Sequence, residues 1–260
     1  SSDEVIGPKD MAEIGKAVGI PFGNKGRKDL ETDFDTLGVD KGDFYMGQYH
    51  LARSKGFSLE EMHRQLADYQ VDWPELKRLV SAYEDYKRVR KKIDFTDMID
   101  NFIKSGHAPN LDALFVDEAQ DLSTLQWSMV DVLREKPRIQ VFTGDDDQAI
   151  MGFQGADVEA FLNATEKKTV LEQSYRLPRA VWQEAQNIVG QIEGRAPKTW
   201  RPKDEDGLVQ FHQNIWDAPL HEGEWCLMAR TNRIASQYAQ ALRAEGWVYS
   251  RHGHPSIPAK

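Results

Sequence analysis

Ala113-Leu114-Phe115-Val116-Asp117-Glu118-Ala119-Gln120-Asp121 and, one helix-length later, Ile139-Gln140-Val141-Phe142-Thr143-Gly144-Asp145-Asp146-Asp147-Gln148 are the stretches whose reading decides the fold. Each is a short apolar run that stops at a cluster of carboxylates. A third run, Thr169-Val170-Leu171-Glu172, ends instead in Gln173-Ser174-Tyr175-Arg176. Runs of this length, spaced by helix-length segments, predict buried strands of a parallel sheet. Ligands of such sheets sit outside the carboxyl ends of the strands. Paired acids, an acid run with an amide, and an arginine are therefore predicted to converge on one site.

Outward from this centre, strands alternating with helices give an α/β reading. On the N-terminal side Ser58-Leu59-Glu60-Glu61 is a capping-box signature that starts a helix, with Leu59, Met62, Leu66 and Tyr69 at helical spacing. Pro74 opens another helix, with Leu76, Leu79, Val80, Tyr83 and Tyr86 on one stripe. That helix closes on Lys87-Arg88-Val89-Arg90-Lys91-Lys92, bases that suit either phosphate contact or plain solvation at a helix C-terminus. Ile93 to Ile99 leads into a short amphipathic helix. Ser123 and Gln126 cap the helix between the two acid runs, with Leu125, Met129, Val130 and Leu133 predicted inward. Beyond the third run Pro178 opens a helix whose stripe is Val181, Ala185, Ile188, Val189 and Ile192. Residues 194–207 read as loop, 208–212, 225–229 and 247–249 as strands, and 232–244 as a helix.

Composition sets limits. With 260 residues the chain can hold one large domain or two smaller ones, and 40% hydrophobic with 29% charged residues is a globular, soluble balance. No apolar run is long enough to span a bilayer and Ser1-Ser2-Asp3-Glu4 carries no signal pattern, so the expectation is a cytoplasmic protein with no membrane partner. A net charge of −9 argues against a surface that is basic all over. Residues 111–148 hold nine acids against three bases, so six of those nine charges belong to the carboxylate region. Cys226, the single cysteine, is predicted to be a small buried hydrophobe in a strand. His252 and His254 alone make a weak metal signal. Gly23-Asn24-Lys25-Gly26-Arg27-Lys28 imitates a phosphate loop but lacks its spacing and its Ser/Thr, and reads as a solvated turn.

Asp117-Glu118 directly after an apolar strand suits a nucleotide hydrolase, since one carboxylate can hold Mg²⁺ while its neighbour orients a water. Gln148 adds an amide of the kind that positions water or a terminal phosphate. Arg176 offers positive charge for phosphoryl transfer. Solvated turn residues are the plainer reading of the Gly-Asp runs.

The run 116–121, the run 144–156 and the run 171–176 together resemble three consecutive motifs of superfamily 1 DNA helicases of the UvrD, Rep and PcrA type. Asp94-Phe95 and Ala229-Arg230-Thr231-Asn232 are similar to that pattern too, and the resemblance covers roughly 93–250. It implies a RecA-like, P-loop NTPase type of parallel sheet. It divides the chain into a helical segment over 1–92, an ATPase core over 93–172 and the start of a second RecA-like domain over 173–260. It implies ATP and Mg²⁺ as cofactors, and single-stranded DNA and duplex junctions as partners, with translocation and unwinding 3′ to 5′. By the resemblance Asp117 is the Mg²⁺-associated acid, Glu118 the general base, and Gln148 the contact to the γ-phosphate. Tyr175 is implied as the ring on the adenine, Arg176 as an arginine finger and Phe153 as a ring that stacks on a base.

Met151, Phe153 and Gln154 stand where the family usually has Tyr, Trp and Arg. The sequence holds no G-x-x-x-x-G-K-[ST], so the resemblance further implies an internal piece of a helicase that would need other parts of its parent chain and would be inactive alone. Two rivals stay open. One is a non-catalytic DNA-binding or assembly module that kept the fold; the other is a metal-dependent nuclease built on the same acids.

Overall fold

The computed structural model describes residues 4–23, 40–69, 71–251 and 254–256. Apart from Gly23, the phosphate-loop mimic lies outside the described residues, as do His252 and the side chain of His254. The chain begins with strand β1 (Glu4–Val5), helix α1 (Pro8–Val18), α2 (Lys41–Lys55), α3 (Leu59–Gln65), a 3₁₀ turn at Ala67–Tyr69, α4 (Trp73–Arg90), β2 (Lys92–Ile93) and α5 (Phe95–Ser105).

The helix starts follow local chemistry. The Ser58 hydroxyl accepts from the Glu61 N–H and the Glu61 carboxylate accepts from the Ser58 N–H. Asp72 caps α4 in front of Pro74, and Asp94 caps α5 with Asp97 reciprocating. Each cap satisfies amide groups the helix cannot pair itself. Leu76, Leu79, Val80 and Tyr83 then bury the predicted stripe of α4 against Ile14, Ile20, Tyr45 and Met46. β1 runs parallel to β2, with Glu4 opposite Lys92.

The basic run at the end of α4 divides: Arg88, Arg90 and Lys91 are exposed, while Lys87 and Lys92 are held in ion pairs. Lys87 is buried and its ammonium binds Glu84, Asp94 and Asp97. Lys92 pairs with Glu4 and Asp10, Arg90 with Glu13 and Arg88 with Asp85. Lys87 is drawn in by Asp94, 0% exposed, which accepts from Lys87, from Arg53 at 2.9 Å and from the Tyr83 hydroxyl at 2.8 Å. Burial alone would push its carboxyl up. The Asp97 N–H, Lys87 and Arg53 outweigh that and hold it well below the usual carboxylate range. Arg53 also reaches Asp97 and Asp100, so one ionic cluster ties α2, α4 and α5 together.

Next come β3 (Ala113–Val116), a 3₁₀ turn at Ala119–Asp121, α6 (Thr124–Leu133), β4 (Ile139–Phe142), 3₁₀ turns at Asp146–Gln148 and Met151–Gln154, and α7 (Val158–Asn163). β3 and β4 pair in parallel, Ala113 opposite Ile139 through Val116 opposite Phe142. The predicted strands are therefore present, but they are not buried on both faces. Leu114 packs with Trp127 and Val130 of α6, whereas Phe115, on the opposite face, is 71% exposed and Ile139 and Val141 are exposed beside it. Alternation along a strand puts these neighbours on opposite sides, and helices cover one side only. Trp127, and not Leu125 or Met129, is the buried anchor of α6. α5 and α2 both pack on α6, which places the helical layer beside the strand ends.

The third apolar run is not a strand. Val170 is exposed and Leu171 is 87% exposed, and only a bridge between Gln173 and Arg201 forms beyond them. The segment 172–177 runs beside 201–205 through single hydrogen bonds such as Ser174 N–H to Arg201 O at 2.9 Å. α8 (Arg179–Val189) forms as predicted, yet Val181 and Ile188 of its stripe, and Ile192 just past its end, are exposed. Residues 208–212, 225–229 and 247–249 form no ladder, leaving Leu208, Phe211, Met228 and Val248 exposed, and Cys226 is exposed as well. Apolar spacing marks a strand only if a partner strand exists, and among the described residues none pairs with the first two, while Tyr249 of the third meets only Ser256. α9 (Asn232–Ala244) is capped by Thr231, and a short antiparallel pair, β5 (Ser250–Arg251) with β6 (His254–Pro255), follows. Among the described residues no helix is long and apolar enough to cross a membrane.

Candidate functional site

Backbone pairing of the two segments continues past the strand ends through Thr143, whose N–H donates to Val116 O at 2.8 Å and whose carbonyl accepts from the Ala119 N–H at 2.9 Å. This fixes the two acid-bearing loops side by side. Asp117 follows β3 directly, and its Oδ1 accepts from the Thr143 hydroxyl and from the Glu118 N–H at 3.0 Å. Those two donors, the hydroxyl first, hold the exposed Asp117 carboxyl below its usual range. Its other oxygen has no partner among the described residues. Glu118 has φ 51° and ψ 40°, the left-handed region that a non-glycine residue enters at a cost of about 1–3 kcal/mol. That sharp turn lets the chain leave the strand and aims the Glu118 carboxylate outward.

A buried amide joins the two loops. Gln120 is 2% exposed; its Nε2 donates to Glu118 Oε2 at 2.9 Å and to Asp121 Oδ2 at 3.3 Å, and its Oε1 accepts from the Asp145 N–H at 3.1 Å. Because carboxylates only accept, the amide has a single sensible orientation. Glycine at 144 is required by this approach. A Cβ there would collide with Gln120 Oε1 and come within 3.0 Å of the Phe161 ring. Gln120 lies inside the quoted motif, yet nothing in its residue type announced a buried bridge; Gly144 was the available signal.

The Asp145–Gln148 turn carries a second unforeseen feature. Arg195 donates from Nε and Nη2 to the two oxygens of Asp147, at 2.7 and 2.5 Å. The Lys198 ammonium contacts Asp145 at 2.6 Å, Asp147 at 3.1 Å and Asp146. The Ala196 N–H donates to Asp146 Oδ2 at 2.7 Å. Burial alone would raise the Asp145 and Asp147 carboxyls, but Lys198, Arg195 and the Gln148 amide hold both below the usual range. Lys198 is raised in turn, its three carboxylates overcoming burial. The ligand oxygens of Asp145, Asp146 and Asp147 lie within 4.8 Å of one another, a cation-holding spacing, and here the ammonium is the cation among them. Both bases come from the stretch read as plain loop.

Gln148 is exposed, and its Nε2 donates to Asp145 Oδ2 at 2.7 Å. The structure thus brings Asp117, Glu118 and Gln148 together. Among the described residues no hydrogen bond or ion pair joins the Tyr175 or Arg176 side chain to them. Both are exposed, Tyr175 at 87%, and among the described residues neither side chain has a hydrogen-bond or ion-pair partner. Phe153 is half-buried in the Met151–Gln154 turn, between the two fates of exposed ring and core ring. Gly155, at φ 95°, packs against Ser54 and Lys55 at the end of α2, and Met151 and Gln154 line a cleft of about 460 Å³ with Ser54, Phe95, Asp121 and Gln126.

The family model of the UvrD/REP helicase N-terminal domain matches residues 28–169, more than half of the chain. The chain is 27% identical over 162 residues to the ATP-dependent DNA helicase PcrA of Bacillus subtilis, covering 55% of this chain and 22% of that protein. It is 28% identical over 153 residues to PcrA of Staphylococcus aureus, 52% and 21% covered. With the ATP-dependent DNA helicase srs2 of Schizosaccharomyces pombe it shares 27% identity over 177 residues, 64% and 19% covered. The chain spans about a fifth of the length of the curated relatives it matches.

Proposed function

The chain belongs to the UvrD/REP helicase N-terminal domain family, and from that premise we propose that it supplies the acid side of the ATP site in a motor that moves on single-stranded DNA. In this reading 93–172 is the RecA-like core, 173–260 the start of a second such domain and 1–92 a helical insertion. The observation that carries it is the convergence of Asp117, Glu118 and Gln148 at two adjacent parallel strand ends, locked by Thr143 and Gln120. Ligands of parallel sheets bind there.

Asp117 is the residue that would hold Mg²⁺, because its hard carboxylate is ionised, exposed and has one unpartnered oxygen. The Asp145–Asp147 group competes poorly, since the Lys198 ammonium already sits among its carboxylates and Arg195 grips Asp147. Bound there, the ion supplies charge stabilisation to the transferring phosphoryl group. Glu118 is the base: Gln120 takes one of its oxygens, leaving the other to receive a proton from the attacking water. Gln148 orients that water or the terminal phosphate. Arg176 serves as the arginine finger and Tyr175 as the adenine platform once the segment 172–177 closes over the site, and Phe153 stacks on a DNA base. Movement 3′ to 5′ and action at duplex junctions rest on the resemblance.

The test is Glu118→Gln in the intact native protein, with ATP binding and steady-state hydrolysis measured with saturating single-stranded DNA. Binding should survive and turnover should be lost, since the amide keeps the shape but accepts no proton. Wild-type turnover in this variant would remove Glu118 as the base. Mg²⁺-dependent DNA cleavage without ATP would replace the motor reading by a nuclease.

A further inference from the structure

Gln148 is not held by its own backbone turn alone. Its amide nitrogen is anchored on Asp145 Oδ2, while the other oxygen of the same carboxylate, Oδ1, accepts from Lys198 Nζ at 2.6 Å and from the Asp147 N–H at 3.2 Å. Asp145 is therefore a two-ended connector with Lys198 on one side and Gln148 on the other. Three consecutive aspartates on one short turn would repel one another and open it. A cation is needed to close the turn, and the Lys198 ammonium, only 12% exposed, touches all three. Arg195 adds a two-bond grip on Asp147, which gives direction as well as charge.

We propose that Lys198 is a positioning residue for Gln148, fixing through Asp145 which end of the amide faces the site; this rests on the role given to Gln148 above. With the nitrogen committed to Asp145, the Gln148 carbonyl is left to accept from a water, and the remaining N–H to donate to a phosphate oxygen. The clamp has a second consequence. Lys198 lies in the stretch that leads to Arg201, whose carbonyl accepts from the Ser174 N–H next to Tyr175 and Arg176. The segment bearing the ring and the arginine is thereby tethered to the turn bearing Gln148, so a shift of one is passed to the other.

The experiment is a double-mutant cycle in the intact native protein, reading kcat and KM for ATP with saturating single-stranded DNA, together with hydrogen exchange by mass spectrometry. Lys198→Met should lower kcat by up to about 10²-fold, the scale of a misplaced catalytic group, with KM little changed. Lys198→Arg should recover most of the loss, because it keeps the charge. If Lys198 acts through Gln148, the Lys198→Met, Gln148→Ala double variant is no slower than Gln148→Ala alone. Residues 144–150 should exchange faster in Lys198→Met while 113–116 stay unchanged. Losses that multiply, or unchanged exchange at 144–150, would overturn the assignment. Should Lys198→Met melt far below wild type, Asp145→Asn cuts the same connector while Asp146 and Asp147 still hold the lysine, and the same cycle is read with it. A native protein with no ATPase would sink the functional reading, and the clamp would then stand or fall on the exchange comparison.

Discussion

Replacing Gln120 by leucine removes the bridge between the two acid loops while nearly preserving side-chain volume, so the loss measures hydrogen bonding and not a cavity. Three contacts disappear: two donated to Glu118 and Asp121, and one accepted from the Asp145 N–H. They are not equivalent. Glu118 and Asp121 are exposed, so water replaces the amide there at little cost. The Asp145 N–H sits in a partly buried turn facing an apolar side chain, and an unsatisfied donor of that kind costs about 1–3 kcal/mol. A loss near 2 kcal/mol corresponds to roughly 4–8 °C in melting temperature at this chain length. Thermal unfolding followed by circular dichroism, with urea titration as a check, reads it directly. A Gln120→Leu protein melting within about 1 °C of wild type, a shift too small for even the low end of that range, would refute the view that this amide couples the strand ends.

The ionic cluster on α5 gives a second prediction. Asp94→Asn should cost about 3 kcal/mol, the low end for breaking a buried pair, because Lys87 retains Asp97 and Glu84 and Arg53 retains Asp97 and Asp100. The Asp94 carboxyl is depressed in the folded state, so the unfolded chain binds its proton first as pH falls; the stabilisation is full above about pH 4 and is lost below it. Urea midpoints of wild type and Asp94→Asn should therefore differ most at pH 7 and draw progressively closer as pH falls below about 4, and a gap unchanged down to about pH 2 would contradict the assignment. Phe153→Ala in the intact protein should weaken single-stranded DNA binding by about 1–3 kcal/mol. Its stability loss should stay below the ~3 kcal/mol minimum typical of a fully buried ring, and a larger drop in melting temperature would mark Phe153 as core. The 260 residues alone should release phosphate from ATP at no appreciable rate, because they contain no G-x-x-x-x-G-K-[ST]; turnover of even about one per second, slow for an enzyme, would reveal another phosphate site.

Which parts of this molecule were legible follows from how far apart the interacting groups lie in the chain. Ser58 with Glu61 and Ser123 with Gln126 are three residues apart, so the caps could be read directly. The α4 stripe and the β3 and β4 runs were likewise local patterns, and so were Asp117, Glu118 and Gln148 as the polar ends of those runs. Gln120 could be seen but not understood, because its partner is the backbone of Asp145, 25 residues away. Lys198 and Arg195 meet their aspartates across about fifty residues, and no periodicity signals a contact of that kind.

The runs that failed as strands make the complementary point. Ala113–Val116 and 225–229 are equally plausible as β-sequence, and what separates them is the parallel partner that β4 offers the first and that no described residue offers the second. A strand's hydrogen bonds all go to another segment, whereas a helix satisfies its own, so α8 and α9 form where Leu208, Phe211 and Met228 remain exposed in irregular chain. The same asymmetry explains Cys226: its predicted burial depended on a ladder, and without one the thiol is exposed. It also explains why the acid half of the proposed site is held in place and the proposed Tyr175–Arg176 half is not. Asp117 and Glu118 are held by a paired strand end and a buried amide, while Tyr175 and Arg176 hang on single backbone bonds to 201–205, with the Lys198 clamp as their link to the acids.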